Sequence, residues 1–141
     1  MKLRYFSLEE FNRASSNPCP ETLIANALEI LSVADAVRHV YGNPLRILNG
    51  GGYRNPEFNA KFLGKKNSLH LQAMAVDLRP VNNCNDAEIL TIKAIVEDLL
   101  LRKALPTSSL LGVGVYLNRV DNAAFIHIDV RKGVKARWED K

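Results

Sequence analysis

The chain has 141 residues, 47% hydrophobic and 24% charged, with a formal net charge of +4. This length suits one domain over residues 1–141 with a core large enough to stand without cross-links. No apolar run is long enough to span a membrane, two cysteines (Cys19 and Cys84) make no disulfide framework, and the basic residues cluster only in KFLGKK and RKGVKAR.

In chain order, Ser7 followed by Glu10 has the form of a capping box and predicts a short helix to about Arg13. Ser15 to Pro20, with two prolines, reads as loop. From Glu21 to about Tyr41, apolar residues from Leu23 to Val40 recur at helical spacing, and Gly42 is placed to stop that helix. PLRILNGGGYRNPEFN predicts a short strand, a glycine-rich loop and a brief helix from about Pro56. Gly50 to Gly52 lack the following Lys-Ser or Lys-Thr of a phosphate loop. A strand follows from Ala73 to Leu78, ended by Pro80. Asp86 is placed to cap a second long helix to about Lys103, with Ile89, Ile92, Val96 and Leu99 inward. GVGVYL and AFIHIDV are strands close enough to pair as a hairpin. The expected class is α+β: a small antiparallel sheet packed against two long helices.

Two segments carry the chemistry. In FIHIDVR, Phe125, His127, Asp129 and Arg131 fall on one strand face, and Ile126, Ile128 and Val130 on the other. A polar face opposite an apolar one marks a strand with core on one side and a cleft on the other. In SLHLQAMAVD, His70 and Asp77 are seven residues apart. Extended chain would separate them by roughly 20 Å, so they meet only if residues 70–75 turn back, which Ala73 and Ala75 are small enough to permit. Two imidazoles and a carboxylate suit Zn²⁺, with a fourth position open for water. His39, near the end of the first long helix, is placed to favour the helix dipole rather than to hold a metal. Trp138 sits in a basic tail, where it packs the C-terminus down or touches substrate.

Ser68-x-His70-x-x-Ala73-x-Ala75-x-Asp77, followed by His127-Ile128-Asp129, resembles the zinc D-alanyl-D-alanine carboxypeptidase family. That family shares its fold with the amino-terminal signalling domain of hedgehog proteins and includes bacterial dipeptidases and phage endolysin peptidases. GGYRNPEFN is similar to its Gly-Tyr-Arg-Ser-Pro-x-x-Asn segment, and FSLEEF to the opening of its short members. The resemblance implies that His70, Asp77 and His127 hold zinc and that Arg54 faces the substrate or the developing oxyanion. Ser68 and Tyr116 would then orient a ligand or bind the substrate end. Ala73 stands where the family usually has glycine. The family's general base often lies shortly before the last ligand, where this chain has Ala124 and Phe125. Asp129, on the face of His127, is the substitute, with Asp121 second.

The implied activity is zinc-dependent hydrolysis of peptidoglycan stem or cross-link peptides, as a D-alanyl-D-alanine carboxypeptidase or as a cell-wall endopeptidase of endolysin type. The expected enzyme is a monomer with no nucleic-acid partner. A non-catalytic zinc module of the same fold, binding wall peptide or a protein, is the alternative. MKLRYFSLEEF has too short an apolar stretch for a secretory signal, which predicts cytoplasmic synthesis, with release to the wall by phage-type lysis as one route.

Overall fold

A computed structural model describes residues 2–13, 18–61 and 64–141. Of the loop expected from Ser15 to Pro20, residues 15–17 lie outside the described residues.

Helix α1 (Leu8–Asn12) opens as its sequence predicts, the Ser7 hydroxyl accepting from the Glu10 N–H at 3.2 Å. Glu10 does not return the bond to Ser7. Its carboxylate accepts from the Ile47 N–H at 3.1 Å and so ties the first strand to α1. A 3₁₀ turn at Glu21–Leu23 leads into α2 (Ile24–Tyr41), which stops where Gly42 adopts φ +83°. After a short α3 (Pro56–Lys61), α4 (Asp86–Leu101) begins one residue earlier than the sequence suggested. Its cap is Asn85, whose backbone is extended and whose side chain accepts from the Glu88 N–H at 3.0 Å. Asp86 is the first helical residue, and its carboxylate takes the Asn118 N–H instead. Adjacent Asn and Asp both suit a cap, and tertiary pairing with residue 118 decides between them.

Five strands form one sheet: β1 (Leu45–Ile47), β2 (Ala75–Pro80), β3 (Gly112–Tyr116), β4 (Phe125–Asp129) and β5 (Ala136–Asp140), in the order β1-β2-β4-β3-β5. The first three neighbouring pairs are antiparallel, β3 and β4 adjoining as expected, while β5 runs parallel to β3 at the edge. Helices α2 and α4 pack on the face that carries Val76, Leu78, Val113, Val115, Ile126 and Ile128, all buried. Burying side chains of this size contributes about 1.5–3 kcal/mol each, so this face anchors the sheet. No helix among the described residues is long and apolar enough to cross a membrane.

Period-two alternation leaves the opposite face to the polar residues. In register across four strands lie Asp77, His127, Gly114 and Trp138; beside them lie Ala75, Asp129, Gly112 and Ala136. These two transverse rows position the candidate site.

Candidate metal centre

Asp77 and His127 face each other because β2 and β4 pair at that register, with His127 Nδ1 2.9 Å from Asp77 Oδ1. His70 arrives by a different route. It sits in a 3₁₀ turn, Leu69–Gln72, capped by Ser68, whose hydroxyl accepts from the His70 N–H at 3.2 Å. The turn closes at Ala73 and sends the chain back along β2, which brings His70 Nε2 to 3.3 Å from Asp77 Oδ2. The reversal demanded by the spacing is therefore present, and the strand begins at Ala75 rather than Ala73.

Ala73 holds φ +55° and is fully buried. A left-handed conformation costs a residue with a Cβ roughly 1–2 kcal/mol. Glycine would relieve that cost but lose about 0.5–1 kcal/mol to chain entropy and about 0.8 kcal/mol of buried methyl. The terms nearly cancel. Ala73→Gly is expected to shift stability by less than about 1 kcal/mol, read from the urea midpoint.

Each histidine is fixed by a bond from its far nitrogen. His70 Nδ1 lies 2.9 Å from the Gly52 carbonyl, and His127 Nε2 lies 2.8 Å from Asp129 Oδ2. Such outer contacts set the tautomer and aim of metal-binding imidazoles. One donor atom from each of His70, Asp77 and His127 lies within 4.8 Å of the others. For bonds of about 2.0–2.1 Å a tetrahedral edge is about 3.3 Å, close to the separations to Asp77, so the donors fit a small divalent cation. Burial disfavours charge on His127, yet hydrogen bonds and fields from Asp129 and Asp77 prevail and raise its pKa to about 9. Burial also opposes charge on Asp77, but the two histidines outweigh it and hold the carboxyl far below the ordinary range. The pocket is built for positive charge beside this carboxylate, and a cation there competes with the proton.

Asp129 is placed behind His127 rather than over the open side of the cluster. It is fully buried and accepts from Gly112 N at 3.1 Å, Arg131 N at 3.2 Å, Arg131 Nε at 2.9 Å and Arg131 Nη2 at 2.8 Å, besides facing His127. Burial alone would raise its pKa, but Arg131 and His127 prevail and lower it well below the usual carboxylate range. These surroundings keep a proton off the group that the sequence nominates as general base. Asp121, the second nominee, is exposed in the turn Val120–Asn122 and is not part of the cleft wall.

Arg54 is buried next to the cluster. Its Nε donates to the Gly50 carbonyl at 2.6 Å, Nη1 reaches Asn59 Oδ1 at 3.4 Å, and Nη2 lies 3.6 Å from Asp77 Oδ2. The GGYRNPEFN segment thus supplies both a guanidinium and, through Gly52, the acceptor for His70. Above the cluster opens a cleft of about 440 Å³, its walls including Leu48, Lys65, Leu69, Tyr116, Phe125 and Trp138. The place of Trp138 in that wall depends on β5, which the sequence reading leaves as a basic tail. A signal was present in GVGVY. Alternate glycines on the cleft face of β3 leave space opposite Asp129 and His127, and a Cβ at Gly114 would lie 2.1 Å from the Trp138 ring.

A mixed sheet with helices on one face, and with two imidazoles and a carboxylate at the floor of a cleft on the other, is the frame of a metal-dependent hydrolase. The chain belongs to the peptidase M15 family, whose model matches residues 4–129. The resemblance carried by the sequence motifs is thereby borne out, and the protein is placed among the metallopeptidases. A search of curated proteins finds no match. The matched region runs from before α1 to the end of β4 and stops short of β5.

Proposed function

We propose that the protein is a zinc-dependent hydrolase of peptide bonds in peptidoglycan stem or cross-link peptides, acting as a monomer. The observation that carries this reading is the convergence of His70, Asp77 and His127, each histidine presenting one nitrogen to the carboxylate while its other nitrogen is engaged elsewhere. Zinc bound there supplies Lewis acidity toward an amide carbonyl and acidifies water. Arg54, fixed by Gly50 and Asn59, holds positive charge where the carbonyl oxygen develops its negative charge. Ser68 acts through the turn it caps, aiming His70. Asp129 holds His127 so that Nδ1 faces Asp77. Lys65 on the cleft wall and the net charge of +4 suit a substrate with free carboxylates.

A non-catalytic zinc module has one observation in its favour. Among the described residues, the carboxylates lining the cleft are Asp77 and Asp129, and both are engaged by cationic or histidine partners. Incubation of the zinc-loaded protein with stem peptides ending in D-alanyl-D-alanine and with cross-linked dimers, read by mass spectrometry, separates the two readings. Cleavage that disappears with a chelator and returns with added zinc is the expected result. Stoichiometric zinc without cleavage of either substrate would establish the module, and no stoichiometric zinc would remove both readings.

A further inference from the structure

The last strand brings an aromatic pair to the cleft that the metal cluster does not account for. β5 lies parallel to β3 with Trp138 beside Gly114, and the absent side chain of Gly114 lets the indole lie close against the strand. The indole centroid is 5.2 Å from that of His127, and Nε1–H donates to Tyr116 Oη at 3.0 Å. Tyr116 shares the cleft face with Gly114, two residues further along β3, and its ring stacks on Phe125 at 4.4 Å with the planes 7° apart. The ring is therefore clamped on one face by Phe125 while its oxygen is held by the indole.

Indole nitrogen can only donate, so the Tyr116 oxygen accepts in that bond and its own O–H is left to point elsewhere. Both residues line the cleft. We propose that Tyr116 is a catalytic residue whose hydroxyl donates to the scissile carbonyl oxygen as it becomes an oxyanion, and that Trp138 is the positioning residue that aims it. The inference rests on the proposed peptidase function. In the reaction, the oxygen of water bonds to the carbonyl carbon and the carbonyl π pair moves onto its oxygen. On collapse the C–N bond breaks, and the amine leaves with a proton originating from the water. Tyr116 keeps its proton throughout and contributes a hydrogen bond only. Trp138 lies beyond the family-matched residues 4–129, so this chain's final strand would complete its own site.

The test compares Tyr116→Phe, Trp138→Phe and the double variant for kcat and KM on a cleaved stem peptide. Calorimetry on the same proteins measures Kd for a phosphinate analogue of the scissile bond and for the product peptide, and elemental analysis checks that zinc content is equal. Tyr116→Phe is expected to lower kcat about 10- to 100-fold with KM within about twofold. Phosphinate binding should weaken by the same factor, with product binding unchanged. Trp138→Phe is expected to lower kcat about 2- to 10-fold through the lost hydrogen bond. The double variant should be no worse than Tyr116→Phe, because the indole acts through the phenol. Wild-type kcat in Tyr116→Phe would overturn the inference and leave the peptidase reading standing. A double variant losing the product of both factors would overturn the positioning role of Trp138. A wild-type protein that neither cleaves the peptides nor binds the phosphinate would remove the peptidase reading and this inference with it.

Discussion

Asp77→Ala should abolish both stoichiometric zinc binding and peptide hydrolysis. Asp77 is the hub of the cluster: one oxygen lies 2.9 Å from His127 Nδ1, and the other lies 3.3 Å from His70 Nε2 and 3.6 Å from Arg54 Nη2. Without it, two imidazoles remain to hold a dication beside a guanidinium, with no anionic donor among the three. Elemental analysis should fall from one zinc per chain to none after dialysis, and hydrolysis should fall on the order of a thousandfold or more, because the Lewis acid is lost. A separate cost appears in the metal-free chain. Truncating the buried carboxylate leaves Arg54 and the histidines without their shared counter-charge, and breaking such a buried arrangement costs about 3–5 kcal/mol. Thermal unfolding of metal-free Asp77→Ala should reveal it. Asp77→Asn preserves the shape and removes the charge, so zinc binding lost in both variants assigns the effect to charge. A variant that keeps one zinc per chain would place the metal elsewhere.

The sequence made the centre of this site readable because period-two alternation is a local property. FIHIDV puts His127 and Asp129 on one face and isoleucines on the other whatever the strand pairs with, and the structure shows that division. The turn at His70 was legible through distance alone, since an extended segment could not have joined His70 to Asp77. β5 was not legible. Ala136–Asp140 carries charges on both sides of Trp138, and it becomes a strand because β3 offers it a free edge, a fact of tertiary structure. The surroundings of Asp129 were hidden for the same reason. Its face follows from alternation, but its partners come from the backbone of β3 and from the Arg131 side chain folding back onto it. A carboxylate on the right strand face reads as a base in sequence. Its neighbours equip it equally to hold His127 in place.

That distinction has an experimental signature in Asp129→Asn. If Asp129 orients His127, the variant should bind zinc about 10- to 100-fold more weakly, the usual cost of losing a carboxylate behind a histidine ligand. At saturating zinc its kcat should stay close to that of the wild type. A general base gives the opposite pattern: zinc affinity unchanged and kcat lower by about 100- to 10,000-fold at every zinc concentration. Hydrogen-bond supply around Asp129 favours the first pattern. Asp129 takes N–H donors from Gly112 and Arg131 on one oxygen and faces Arg131 and His127 with the other. An amide can accept on one side only, so its NH₂ must oppose donors that the carboxylate satisfied. Opposite His127 it removes the acceptor for Nε2–H, and the proton is then free to move to Nδ1, the nitrogen that faces Asp77. In place of that same oxygen it also opposes Arg131 Nη2, on a side chain that is 30% exposed and has solvent to turn to, so the fold should survive with a loss of about 1–3 kcal/mol. Zinc affinity and kcat therefore move independently in this one variant, and whichever of them falls identifies what Asp129 does.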